Sequence, residues 1–206
     1  MGRWTTRILG ILGAERRGGP MGSVPGGRVR LPGGGRGRVG GFLLDLRPVT
    51  NEEYRRYAAR TGARLPDWTW RPGFDLPEQP VVGVSLDEAR RFARWAGKRL
   101  PSLREWMRAA RADTRLPYPW GEAHPHPPFA HFGRGARGAP APVEPMDRAA
   151  GRGPFGHMDL AGNVWEWTAG GELLGGFWGS SDPRLDLLLE EPPDRLSAGI
   201  GFRCAF

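Results

Sequence analysis

One segment of the chain repeats apolar residues every three or four positions, which is the spacing of an amphipathic α-helix. Its apolar positions are Leu86, Ala89, Phe92, Ala93 and Ala96. The segment begins at Ser85 and has Glu88 three residues later, a capping box in which both side chains accept free amide groups of the first turn. Gly97 follows the last apolar position and suits a left-handed helix stop. The pattern predicts a helix from about residue 86 to residue 96 with one buried face.

Two further capping boxes predict two more helices. Thr50 is followed three residues later by Glu53, and Ser102 is followed by Glu105. The first of these helices is expected to run to about residue 60 and to end at Gly62, because glycine adopts the left-handed conformation without strain. The second is expected to reach about residue 112.

Short apolar runs predict strands at residues 41–46, 80–84 and 200–206. The run of three leucines and two glutamates at residues 187–191 forms either a buried strand or, where exposed, a docking surface. Residues 117–154 are dense in Pro, Gly and Ala, and aromatic rings are expected to hold this segment in place. Those rings are Tyr118, Trp120, Phe129 and Phe132. The patterns therefore predict three helices, a few short strands and much irregular structure.

Composition narrows the class of protein. The 206 residues include 33 Gly and 21 Pro, a share close to that of disordered, low-complexity chains. The 9 Trp and 9 Phe argue against disorder, because a disordered chain has no core in which to bury large rings. No apolar run approaches the roughly 20 residues needed to cross a bilayer. The single cysteine, Cys204, excludes an intramolecular disulfide and any zinc site built from several cysteines.

The positive charge is concentrated at the start of the chain. The formal net charge is +8, and residues 1–40 contain eight arginines and one acidic residue, whereas the remainder is nearly neutral. We therefore expect a basic, Gly-rich leader over residues 1–21 and a folded domain over residues 22–206. The leader is interpreted as a solvated segment, as an arm that binds nucleic-acid phosphates, or as a secretion signal. Residues 15–17 (E-R-R) follow its short apolar run where a signal peptide carries small residues, so we expect a cytoplasmic protein, with secretion as the alternative.

Five motifs occur in a fixed order along the chain, and together they resemble the formylglycine-generating enzymes, also called sulfatase-modifying factors. The related ergothioneine-type iron oxidases and the phage and bacterial variable proteins share this resemblance. It covers about residues 22–206 and implies a C-type-lectin-like α+β fold with short strands and two to three helices. The motifs are P-V-T-N-E-E-Y at residues 48–54, P-V-V-G-V-S at 80–85 with A-G-K-R-L-P-S at 96–102, Y-P-W-G at 118–121, G-H-M-D-L-A-G-N-V-W-E-W-T at 156–168 and G-F-R-C-A at 201–205.

The resemblance implies where the catalytic cysteines of this family would lie. Active members bind copper through two cysteines, which correspond here to Ser180 and Leu185. A serine hydroxyl is too hard and too weakly acidic to hold Cu(I), and leucine is not a ligand. Cys204 corresponds to a position in the terminal strand and is interpreted as a buried structural residue. We therefore expect no copper and no cysteine oxidation.

The resemblance also implies a calcium site. The carboxylates of Asp159 and Glu166 and the backbone carbonyls of Leu160, Gly162 and Val164 match the second calcium site of the family. These are hard oxygen ligands of the kind that calcium prefers. The alternative is that Glu166 pairs with an arginine while the flanking tryptophans fill the core.

Iron is not expected at the four histidines. The iron oxidases of the family take three histidines largely from a separate helical domain, which this chain lacks. The pair His124 and His126 has no third ligand at a useful spacing, and His131 and His157 stand apart from it.

Three hypotheses for the function follow from these observations. The first is a non-catalytic binding or accessory module that holds a protein or peptide partner, with Trp178, Ser180, Leu187 and Leu188 as candidate contact residues. The second is an oxidoreductase of the formylglycine-generating type, or a related oxidase that depends on metal and oxygen. The third is a ligand-displaying variable protein, although residues 172–206 contain no Asn and no Tyr of the kind that such proteins display.

Overall fold

A computed structural model describes residues 18–135, 138–143 and 149–206 of the chain. Within these residues the fold is α+β, and no helix is long and apolar enough to cross a membrane. Its elements, in chain order, are β1 Met21–Val24, β2 Gly27–Arg30, β3 Arg36–Val39, β4 Phe42–Asp45, α1 Asn51–Thr61, α2 Leu86–Trp95, α3 Leu103–Arg111, β5 Trp165–Trp167, β6 Glu172–Leu174, β7 Leu188–Glu190 and β8 Ile200–Gly201.

The three helices confirm the capping boxes. Each of α1, α2 and α3 begins with a reciprocal pair, in which the cap hydroxyl accepts an amide N–H and the glutamate accepts the cap's own N–H. Gly62 ends α1 with φ 73°, and its N–H donates to the carbonyl of Ala58. Local sequence was sufficient here because each start and stop signal lies within one helical turn.

The strands are shorter and more scattered than the sequence indicated. They form two antiparallel pairs, β1 with β4 and β2 with β3, and a four-stranded sheet in the order β7-β6-β5-β8. Within that sheet, β8 runs parallel to β5.

Two of the three predicted strands were largely wrong. Residues 80–84 are buried but form no strand: Val81 N–H donates to the carbonyl of Val49 in a loop, and Gly83 N–H donates to the carbonyls of Ser197 and of Ile200, the first residue of β8. Of residues 200–206 only the first two form a strand, while Ala205 makes isolated bridges to Leu44 and Arg99. Buried apolar runs look alike whether they pair with a strand or with a loop.

Met21, the last residue of the predicted leader, belongs to the fold. Met21 already pairs with Asp45 in the β1–β4 ladder, and β2 and β3 form a hairpin over residues 27–39. The arginines of this hairpin are therefore part of the domain. Residues 1–17, which contain the rest of the predicted leader, lie outside the described residues.

Aromatic side chains organise the core and the long irregular segment. Tyr54 of α1 stacks on Phe92 of α2 with ring centroids 5.6 Å apart, and Phe202 contacts Phe92 edge to face. A second cluster surrounds Trp106 and Met107 of α3. In the segment after α3, Tyr118 stacks on Trp120 at 5.0 Å and Trp120 on Phe129 at 5.2 Å, which confirms that these rings hold the loop.

Candidate functional site

The glycine turn after β6 contains Ser180, which the resemblance predicts to lie at the first copper-cysteine position of the active enzymes. Gly175 and Gly176 adopt φ values of 93° and 74°, and the chain then turns through Phe177. The hydroxyl of Ser180 accepts the N–H of Phe177 at 3.0 Å, and the N–H of Ser180 donates to the carbonyl of Phe177 at 2.9 Å. Ser180 therefore closes this turn.

Leu185 occupies the second of these positions and belongs to the core. Its side chain is fully buried in the cluster that contains Trp106, Met107 and Leu174. Its N–H donates to the carbonyl of Pro117 at 2.9 Å. A leucine that fills the core offers no ligand atom to a metal.

The only cysteine is sealed inside the molecule. Cys204 is fully buried, and its N–H donates to Asp45 Oδ2 at 2.9 Å. Burial raises the pKa of the Cys204 thiol well above its usual value, and the nearby Asp45 carboxylate raises it further. A protonated thiol with no access to solvent is a structural residue rather than a nucleophile or a copper ligand.

Asp45 and Lys98 form an ion pair beside this cysteine. Lys98 Nζ lies 2.5 Å from Asp45 Oδ1, and both side chains are largely buried. Burial raises the pKa of Asp45 to about 6, although Lys98 opposes this rise. The pair fixes β4 to the loop after α2.

Three of the histidines contact different parts of the chain. His124 Nδ1 is 3.1 Å from the carbonyl of Pro125, His126 contacts the ring of Phe129, and His131 Nε2 is 2.8 Å from the carbonyl of Ala139. No group of three or more His, Cys, Asp or Glu side chains in the described residues has the geometry of a metal site.

His157 is fully buried, and neither ring nitrogen has a hydrogen-bond partner of normal geometry in the described part of the chain. Burial lowers the pKa of His157 to about 4, with a further contribution from the Arg203 guanidinium, while the nearby backbone of Gly22 and Leu44 acts in the opposite direction. The imidazole is therefore neutral at neutral pH.

Glu166, a predicted calcium ligand, makes a buried ion pair. Arg203 Nε donates to Oε2 and Arg203 Nη2 donates to Oε1, each at 2.6 Å, and both side chains are fully buried. The indole N–H of Trp106 donates to Oε2 at 2.8 Å. Arg203 Nη2 also donates to the carbonyl of Met158. The sequence did not identify Arg203 as the partner, although a lone arginine in the apolar run 200–205 already requires a buried countercharge.

The loop before Glu166 turns sharply. Asp159, Gly162 and Asn163 all have positive φ values, of 52°, 80° and 62°. Gly162 packs so closely that a Cβ there would lie 2.6 Å from the carbonyl oxygen of His131. Asn163 Nδ2 donates to Asp159 Oδ2 at 3.1 Å, and its Oδ1 accepts the N–H of Ala141.

The loop contains oxygen donors of the type that calcium prefers, but it offers the ion little uncompensated negative charge. Its donors are the oxygen atoms of Asp159 and Glu166 and the carbonyls of Leu160, Gly162 and Val164. The formal charge of Glu166 is already balanced by Arg203, so Asp159 supplies the remaining negative charge. We therefore keep calcium binding as a prediction and expect a modest affinity.

Besides Ser180, the candidate contact residues have different environments. Trp178 is buried, and its indole N–H donates to the carbonyl of Ala198 at 3.2 Å, so its ring is not available for docking. Leu188 packs against the cluster around Trp106. Leu187 and Leu189, which flank it, are 41% and 40% exposed. The alternation of strand side chains explains why neighbouring leucines face opposite sides.

Comparison with known proteins identifies the family. A sequence profile of the sulfatase-modifying factor enzyme 1-like domain matches residues 15–206. The chain belongs to this family. The structure of PvdO from Pseudomonas aeruginosa is similar to this sulfatase-modifying-factor domain with a TM-score of 0.71, covering 91% of this chain and 94% of that one at 24% identity. This likeness confirms the α+β fold and, at that identity, the fold alone.

Relatives of this domain include an inactive protein and an oxidising one. The inactive C-alpha-formylglycine-generating enzyme 2 of Bos taurus is 30% identical over 90% of this chain and 87% of its own length. The hercynine oxygenase of Mycolicibacterium smegmatis is 33% identical over 62% of this chain and 37% of its own length. Family membership is therefore compatible with either kind of role, and the residues of the site must decide between them.

Proposed function

We propose that this protein is a non-catalytic member of the sulfatase-modifying-factor family, a binding or accessory module for a protein partner. The observation that carries the proposal is the pair of residues at the copper positions, where Ser180 closes a backbone turn and Leu185 fills the core. Neither side chain supplies the thiolate that Cu(I) requires. The one thiol, Cys204, is buried with a raised pKa.

The edge of the four-stranded sheet is the surface that best suits a protein partner. Strand β7 lies at the end of the sheet order, and an edge strand offers backbone N–H and C=O groups to an incoming extended segment. Leu189 of this strand and Leu187 just before it are two-fifths exposed. Glu190 and Glu191 follow, so the partner segment is expected to combine apolar residues with Lys or Arg.

Calcium has a structural place in this proposal. If the loop binds the ion, the carboxylates of Asp159 and Glu166 and the carbonyls of Leu160, Gly162 and Val164 would hold it. The ion would then stiffen the turn that precedes β5. Its role would be to stabilise the fold rather than to take part in chemistry.

A copper(I) titration against a coloured chelator tests the proposal. The wild-type protein is expected not to compete with the chelator. The double variant S180C/L185C restores the two thiols of the active enzymes on the same backbone and is expected to compete. The single variant S180C is the matched control, because one thiol gives at most a weak site. Stoichiometric, tight copper binding by the wild type would contradict the assignment.

A further inference from the structure

The hairpin of β2 and β3 presents four arginines on one face. The antiparallel register places Arg28 opposite Arg38 and Arg30 opposite Arg36. Alternate residues of a strand share a face, so all four side chains lie on the same side of this two-stranded ribbon. Arg28, Arg36 and Arg38 are exposed, and the side chain of Arg30 is 22% exposed. We call this surface the arginine face.

The opposite face of the ribbon anchors it to the core. Val29 is fully buried against the cluster around Trp106, and Gly37 lies across from it. Arg108 of α3 donates to the carbonyl of Arg28 at 2.9 Å, and Arg111 donates to the carbonyl of Arg30. These contacts fix the backbone beneath the arginine face, so its guanidinium groups project from a rigid support.

The charge of the arginine face is poorly compensated within the described residues. Asp113 forms ion pairs with two arginines: its Oδ2 lies 3.1 Å from Arg28 Nε and its Oδ1 lies 3.5 Å from Arg30 Nε. No described carboxylate forms an ion pair with Arg36 or Arg38. Two nitrogens of Arg30, Nε and Nη1, are buried without a hydrogen-bond partner among these residues. Like charges directly opposite each other destabilise a strand pair. A bound anion would relieve this repulsion at the exposed guanidinium groups of Arg28, Arg36 and Arg38.

We propose that the arginine face binds the phosphate backbone of double-stranded DNA without sequence preference. A two-stranded ribbon fits the major groove of B-DNA, and arginine is the side chain best suited to phosphate oxygens. The tip of the ribbon is slender because residues 33–35 are all glycine, and a Cβ added at Gly33 or Gly34 would meet no atom within 4 Å. The ribbon itself carries no acidic residue, and Asp113 is the acidic side chain that the described ion pairs place beside its arginines.

The size of the arginine face sets the expected strength of binding. Four arginines contact at most about four phosphates, so the logarithm of the binding constant should fall with the logarithm of salt concentration with a slope of about −3 to −4. Dissociation constants for such sequence-independent contacts are roughly 1–100 μM at physiological salt.

The test is fluorescence anisotropy of a short, labelled DNA duplex of random sequence, titrated with the full chain at several salt concentrations. The variant R36Q/R38Q is expected to bind about tenfold more weakly at low salt and to reduce the magnitude of the salt slope by about 2. The matched control R56Q/R91Q removes the same charge from exposed positions on α1 and α2 and should change affinity less than twofold. Because Arg36 and Arg38 repel their neighbours, R36Q/R38Q should fold with an unchanged or higher melting temperature.

Several outcomes would overturn this assignment. One is the absence of duplex binding at low salt. Another is an equal loss of affinity in R36Q/R38Q and R56Q/R91Q, which would indicate a response to net charge alone. The variant R16Q/R17Q measures the contribution of the N-terminal segment that precedes the ribbon. If only this variant loses DNA binding, the assignment to the arginine face is also overturned. Binding to anionic phospholipid vesicles or to polyglutamate that depends on Arg36 and Arg38, without DNA binding, would assign the surface to another partner.

Discussion

At the scale of single residues, the ion pair between Glu166 and Arg203 determines how the predicted calcium loop can be tested. The two side chains are fully buried, joined by two hydrogen bonds of 2.6 Å, and Arg203 also holds the carbonyls of Met158 and Asp159. Removing one member of such a pair leaves an uncompensated buried charge, at a cost of roughly 3–5 kcal/mol. A substitution of Glu166 would therefore perturb folding whether or not calcium binds, so calcium must be tested elsewhere in the loop.

Asp159 provides that test. Its link to Arg203 is through the backbone carbonyl, so D159N removes the carboxylate charge and leaves this contact in place. Asparagine also tolerates the positive φ of this position. If calcium binds, adding it at ten times Kd should raise the melting temperature of the wild type by about 3–6 °C, and D159N should lose this response. The exposed acid Glu122 gives the control E122Q, which should respond as the wild type does; equal responses in all three proteins would argue against the site.

The buried imidazole of His157 predicts a loss of stability in acid. Its pKa is about 4 in the folded protein against about 6.5 in the unfolded chain, so the unfolded chain binds more protons between these values. The contribution of His157 to stability is therefore present above about pH 6.5 and is lost as the pH falls toward 4, by about 3 kcal/mol in total.

Asp45 acts in the opposite direction, because its raised folded pKa of about 6 lets the folded protein bind the proton first. The informative quantity is therefore the difference in unfolding free energy between the wild type and H157Q, measured by urea denaturation from pH 7 to pH 4. As the pH falls, the unfolding free energy of the wild type should decrease relative to that of H157Q. A difference that stays constant with pH would contradict a buried neutral His157.

At the scale of elements, the helices were predictable and most of the strands were not. Each helix carries its own start signal, such as Ser85 with Glu88, and an apolar stripe that depends only on local spacing. The strands contain two to four residues, and their existence depends on a partner far away in the chain. Ile200 and Gly201, for example, form a strand because β5 lies alongside. A buried run such as residues 80–84 gives the same sequence pattern without that partner.

We expect the proposed protein partner to bind at the edge strand β7. A photoreactive amino acid placed at Leu189 in the full chain, expressed in cells, should crosslink one protein reproducibly, because this exposed side chain lies on the strand that is open to pairing. Leu196 is 59% exposed outside any strand and is the matched control position. Identical crosslinked products from both positions, or none from Leu189, would count against docking at this edge.

At the scale of the whole molecule, the structure changes how the positive charge is interpreted. The sequence placed the basic excess in a segment outside the recognisable motifs, whereas Arg28, Arg30, Arg36 and Arg38 lie on the folded β2–β3 ribbon. In the sequence, arginines alternate with Val29 and Gly37, as expected for a strand with one exposed face. The many glycines around them argue against a strand, so the sequence did not predict the ribbon. The family and its fold could be predicted because their motifs are local. The sequence did not identify Arg203 as the ion-pair partner of Glu166, because the two residues are 37 positions apart in the chain.

We propose that this domain keeps the fold of its family without the oxidase chemistry. Mass spectrometry tests this on a peptide with the sulfatase-type sequence Cys-x-Pro-x-Arg, after incubation with the protein, a Cu(I) salt, oxygen and a reductant. The peptide cysteine is expected to remain unmodified, because Ser180 and Leu185 supply no thiolate to bind copper. Conversion of that cysteine to formylglycine by the wild-type protein, at a rate proportional to its concentration, would contradict it.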